Sequence, residues 1–155
     1  ARAKLAEIER PRTEGIERIG RLSDRALLIA GTALYAGEGS KTDGSVAFAN
    51  CDPRMVFFFL GWLRRCFDVD ERRLRLRLYL HQGLDLEAAN HFWEELTDIP
   101  QEQFIKPYRA AADPSIRSAK HPMGCPGVSY GCSRTHRTVM GLVEALLSFP
   151  VADPG

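Results

Sequence analysis

The hydrophobic positions of the 155-residue chain change period several times, and each change marks an element. Leu74, Leu76, Leu78 and Leu80 alternate strictly with Arg75, Arg77, Tyr79 and His81. Period two puts the leucines on one face of a strand, Leu74 to His81, and the polar set on the other. Elsewhere the period is helical. Ser23 or Asp24 is a good N-cap for a helix to about Gly37, with Leu27, Leu28, Ala30, Leu34 and Tyr35 as its apolar residues. Asp52-Pro53 opens a helix to about Phe67, with proline at its favoured first position. Leu84 to Thr97 reads as a helix turning Leu86, Ala89, Phe92, Trp93 and Leu96 inward. Ser133 caps a last helix to about Phe149, with the stripe Val139, Leu142, Val143, Leu146 and Leu147.

Between these lie shorter signals. Thr42-Asp43-Gly44 is hairpin-turn chemistry leading into a strand from Ser45 to Asn50. Gly127 to Cys132 reads as a strand, and Gln103 to Lys106 has short strand character inside a basic, loop-rich stretch from Ile99 to Lys120. Residues 1–21 are charged with sparse apolar points, and Pro11 breaks any single helix there, which predicts a partly helical connector. Residues 22–149 form the main domain and 150–155 a tail. The chain starts at Ala1 and not Met, which suggests a fragment or processed product. The element order predicts an α+β fold with a small antiparallel sheet.

Composition narrows this picture modestly. Hydrophobic residues make up 45%, which argues against disorder. No apolar run reaches the roughly 18 residues of a membrane span, and no leader is visible. The net charge of +1 does not announce nucleic acid, so the distribution of arginine matters more than the sum. Four cysteines, Cys51, Cys66, Cys125 and Cys132, are too sparse for a secreted disulfide scaffold. They predict a reduced, cytoplasmic protein in which they pack as small hydrophobes.

The segment Ala30-Gly31-Thr32-Ala33-Leu34-Tyr35-Ala36-Gly37-Glu38-Gly39-Ser40 resembles the motif helix of the LAGLIDADG homing endonucleases. In that family a helix with small residues on one side ends in an acid followed by glycine, here Glu38 and Gly39. A second acidic position of the family falls on Ala36. The resemblance extends through the element order over residues 22–149. It implies a saddle-shaped antiparallel sheet with helices on one face, laid along the major groove of double-stranded DNA. It also implies a homodimer, packed through Ala30, Ala33, Leu34 and Gly37, in which Glu38 of each copy helps hold Mg2+. Relatives often carry a helix-turn-helix segment before this domain. Residues four apart share a helix face, so small side chains at 33 and 37 suit close helix contact across a two-fold axis.

Two further sets follow. Arg75, Arg77, Tyr79 and His81, extended by Arg72 and Arg73, offer a donor-rich strand face for DNA. Arginines two apart lie roughly 6–7 Å from one another, near the spacing of successive phosphates. Lys106, or else Lys41, is the candidate basic residue at a scissile phosphate, with Tyr108 and Arg109 adding to the patch. A site-specific endonuclease and a DNA-binding regulator that has lost cleavage are both compatible with these residues. His121, Cys125, Cys132 and His136 are zinc-type ligands with three, six and three residues between them. Neither cysteine belongs to a C-x-x-C pair, so a structural zinc is disfavoured and His136 is expected on an exposed turn. No G-x-S-x-G or P-loop is present.

Overall fold

The computed structural model describes residues 1–111 and 121–149. The second half of the basic loop, 112–120, and the expected tail, 150–155, lie outside the described residues. Among the described residues the fold is α+β: five α-helices and a three-stranded antiparallel sheet. The helices are α1 (Arg2–Ile19), α2 (Asp24–Glu38), α3 (Pro53–Cys66), α4 (Leu86–Thr97) and α5 (Ser133–Ser148). The strands are β1 (Val46–Ala49), β2 (Leu74–Tyr79) and β3 (Cys125–Tyr130), in the order β1-β3-β2.

Capping explains the boundaries. Ser23 accepts a hydrogen bond from the Ala26 amide at 3.1 Å, and Asp85 one from Ala88 at 3.1 Å. Asp52 caps α3 through the Arg54 amide at 2.9 Å, with Pro53 at the first helical position. The cap of α5 is Cys132 and not the expected Ser133, and it makes no side-chain capping bond. The expected break at Pro11 does not occur, for α1 is one helix with Pro11 inside it. A proline removes one backbone donor, and α1 buries none of its residues, so no packed neighbour forces a bend there.

The register places Arg75 opposite Ser129 and Arg77 opposite Gly127, which in turn face Ala47 and Ala49 across β1. Leu74, Leu76, Leu78, Val46, Phe48 and Val128 point the other way, into the core. Helices α2, α3 and α5 cover that inner face, around Tyr35, Phe59 and Trp62. The strand β2 stops at Tyr79, two residues before the predicted His81. Beyond it the chain pairs with a parallel flanking segment: Tyr108 N–H donates to Leu78 O at 2.8 Å, and Leu80 N–H to Tyr108 O at 2.9 Å. The strand character expected at Gln103–Lys106 reduces to a turn at Gln101–Gln103 and isolated bridges from Phe104 to Leu76 and from Tyr108 to Tyr79.

Candidate nucleic-acid interface

Tyr35 organises the end of α2. Its ring is fully buried, stacked near Trp62, and its hydroxyl donates to Ser40 O at 2.6 Å while accepting from the Ala47 amide at 3.3 Å. Burial pushes the Tyr35 phenol up from its ordinary pKa, so it remains a neutral donor. Ser40 N–H donates to Ala47 O at 2.9 Å, which closes the hairpin that Thr42-Asp43-Gly44 predicted. His136 Nε2 donates to the same Ser40 carbonyl at 3.0 Å. Its ring is buried, contrary to the exposed turn expected, because residues 136, 139 and 143 share the inward face of α5.

Gly39 is required for a different reason than helix termination. Its φ of −79° is ordinary extended backbone, but a Cβ there would lie 2.3 Å from the Tyr35 ring. The acid-glycine step therefore lets the chain cross the tyrosine closely and turn at once into the sheet. Glu38 is left exposed at the C-terminal end of α2.

Glu38, Gly39 and Ser40 form one wall of a shallow trough of about 380 Å3 on the outward sheet face. Ala47, Ala49, Gly127 and Ser129 are its floor, and Arg77 and Ile105 stand on the other side. Small side chains at these alternate positions leave the sheet backbone open to a bulky ligand. Their period-two spacing within Cys125–Tyr130 is a readable signal that the arginine pattern overshadowed.

The other candidates are placed unevenly. Arg75 turns back, its Nη1 donating to Arg72 O at 2.7 Å and Leu74 O at 2.8 Å. Arg72 pairs with Asp70 at 2.9 Å, and Arg73 donates to Gly131 O and lies 5.5 Å over the Tyr130 ring. Arg77 is the one of the four with no such partner among the described residues, and it shares the trough with Glu38. Tyr79 stacks on Tyr108 with ring centres 5.0 Å apart, and both are exposed. His81 is half-buried, with Nδ1 3.3 Å from Ala111 O. Arg109 is half-buried too, donating to His81 O at 3.3 Å and Leu84 O at 3.0 Å, so it ties loops together.

Neither candidate lysine stands free beside Glu38. Lys41 Nζ donates to Tyr35 O at 3.2 Å and to Gly39 O, neutralising the carbonyl end of α2. Lys106 lines a separate hollow with Leu78, Asn90 and Phe104. Of the expected dimer face on α2, Ala33 and Gly37 are exposed, whereas Ala30 is half-buried and Leu34 packs partly against the core. The buried small residue is Gly31.

The four-residue zinc set divides. His121 and Cys125 group with Cys51, and Cys132 and His136 lie outside that group. Cys132 accepts from the Thr135 hydroxyl at 3.3 Å, which lowers its thiol pKa. Cys51 and Cys125 are joined as a disulfide, a correction to the reduced, separately packed thiols expected. Cys66 and Cys132 are free. No helix among the described residues is long and apolar enough to cross a membrane. Set against family models, curated proteins and solved structures, the chain finds no match in any of the three.

Proposed function

We propose that the outward sheet face and the end of α2 bind double-stranded DNA, in the manner of a single-motif LAGLIDADG protein acting as a homodimer. One observation carries this reading: Glu38 and Arg77 line the same trough, which is floored by alanine, glycine and serine. Arg77 suits a phosphate or a guanine edge, because its planar fork donates two bonds at once. The exposed Tyr79–Tyr108 pair extends the same face. The element order after the motif helix, β1, α3, β2, α4, β3 and a closing α5, is compatible with the resemblance, with one arm of the first hairpin reduced to a bridge at Gly39.

The exposed Glu38 carboxylate is an oxygen donor that suits a hard divalent cation such as Mg2+. Glu38 would hold it together with water and its counterpart in a second copy. Bound there, the cation would supply an activated water for phosphodiester hydrolysis. A second reading, a regulator that binds DNA without cutting it, has its own support. Ala36 stands where the family has a second acid, and Lys106 lines a different hollow from Glu38.

Incubation of the chain with a randomised duplex library tests both readings, with Mg2+ and in parallel with Glu38→Gln. Cleavage abolished by the substitution supports the nuclease. Selection of duplexes without cleavage, unchanged by Glu38→Gln, leaves the regulator. Absence of any duplex binding at low salt overturns both.

A further inference from the structure

The β1–β3 ladder continues past Ala49 and Gly127, where Asn50 N–H donates to Pro126 O at 3.3 Å. The next residues across are Cys51 and Cys125, with Cα atoms 4.3 Å apart and a sequence separation of 74. His121 returns over this pair. One imidazole nitrogen and the two sulfurs all lie within 4.8 Å of one another.

The local chain is built to hold that arrangement. Gly124 N–H donates to His121 O at 3.0 Å, closing a tight turn, and Gly124 has φ of +72°. A Cβ at 124 would lie 2.5 Å from Tyr79 O, so only glycine lets the turn sit against β2. Trp93 Nε1 donates to Met123 O at 2.8 Å and anchors the turn to α4. The cluster borders an open hollow of about 550 Å3 lined by Cys51, Pro53, Trp93 and His121 among others, which gives an ion a route in.

We infer that Cys51, Cys125 and His121 form a redox-exchangeable Zn2+ site. In the reduced chain both thiolates and the imidazole hold one Zn2+, and water completes a tetrahedron. In the oxidised chain the same sulfurs form the disulfide and the ion is released. A disulfide alone needs no third ligand, yet a histidine is turned back onto this one. Two thiolates and an imidazole are the donors zinc prefers, and three protein ligands leave one position for solvent. The oxidant is a peroxide. Zn-bound dithiolate, one hydrogen peroxide and two protons give the disulfide, Zn2+ and two waters. The S–S bond forms as the O–O bond breaks, and two electrons pass from sulfur to oxygen.

The experiment uses the 155-residue chain with Cys66→Ser and Cys132→Ser, which leaves only the proposed thiols. Reduced anaerobically, it is titrated with Co2+ and then Zn2+, with far-ultraviolet circular dichroism as the fold check. The expected result is one equivalent of Co2+ with thiolate-to-cobalt absorption, displaced by Zn2+. His121→Ala, at an exposed position, should weaken binding at least about tenfold. Peroxide should discharge one Zn2+ with loss of two thiols. The proposal is overturned if the folded, reduced chain binds neither ion, or if its disulfide resists reduction while the chain stays folded. It is equally overturned if His121→Ala binds like the parent, or if the ion stays after both thiols are oxidised.

Discussion

Gly31 on α2 lies directly against the indole of Trp62 on α3: a Cβ at the glycine would be 2.1 Å from two ring carbons. Trp62 is fully buried and has Tyr35, Phe59 and Phe67 around its ring, so it has little room to withdraw. Alanine at a helical glycine position gains roughly 1 kcal/mol of propensity. The overlap outweighs that gain, and Gly31→Ala should cost about 1–3 kcal/mol net by overpacking. A thermal or urea melt checks it, and a variant as stable as the parent would show that α2 and α3 are not in this contact.

Gly37 is the opposite case. Beyond its chain neighbours and its own helix backbone, nothing among the described residues lies within 4 Å of where its Cβ would be, and the position is exposed. Gly37→Leu should therefore leave the monomer as stable as before, or slightly more so by helix propensity. Its effect is expected only between copies, where added bulk would separate close helices. Sedimentation with and without DNA should show the parent as a dimer and the variant shifted to monomer. A parent that is monomeric at micromolar concentration even on DNA removes the two-fold model.

Asp43 links the hairpin tip to α5. Its carboxylate accepts from Arg137 Nη2 at 2.9 Å, and this bond first of all holds its pKa below the ordinary value. A carboxylate lowered in the folded chain stabilises it above the unfolded pKa of about 3.9, and that contribution is lost as pH falls through the lowered native value. Arginine side chains lower Asp52 and Asp70 in the same direction, so these pairs should weaken together on acidification. A carboxyl NMR titration should place the Asp43 midpoint below 3.9 and return it towards that value in Arg137→Ala. An unchanged midpoint in the variant would remove the pair from the account.

Leu76 is fully buried on the inward face of β2. Leu76→Ala should lower stability by roughly 2–5 kcal/mol, set by how far the cavity collapses. DNA affinity of the remaining folded protein should not change, since the leucine and the arginines lie on opposite faces. A loss of affinity well below the melting transition would mean the two faces are not independent.

How well the sequence announced each feature follows from how local its cause is. The leucines of β2 and the caps at Ser23, Asp52 and Asp85 were legible because alternation and side-chain capping act within a few residues. The Cys51–Cys125 pair was not, because the two residues meet only once β1 and β3 are in register. His136 looked like a polar surface residue until the Ser40 carbonyl, 96 residues away in sequence, supplied its partner. The motif named Ala33 and Gly37 as the close-packing residues, yet within the chain it is Gly31 that meets Trp62. The motif points to Glu38 from local sequence, whereas Arg77 is set apart from three similar arginines only by the partners that Arg72, Arg73 and Arg75 meet in the folded chain.

That difference among the arginines gives the sharpest test of the proposed DNA-binding face. Arg72, Arg73 and Arg75 already donate to a carboxylate or to backbone carbonyls, so a phosphate would have to compete for them. Arg77 needs no such exchange. Arg77→Ala should therefore weaken duplex binding more than Arg75→Ala does. If it touches a phosphate, the loss should be alike on all sequences, and the slope of log affinity against log salt should fall by about one unit. If it reads a guanine edge, the loss should be about 1–3 kcal/mol on the preferred site alone, with the salt slope kept. Arg109→Ala makes a further contrast, because its guanidinium holds His81 and Leu84 carbonyls and its loss should appear in stability first. Should Arg77→Ala bind like the parent at every salt concentration, the trough is not where DNA lies. Glu38 would then share the trough with no DNA-contacting arginine, and the nuclease reading would fall with it.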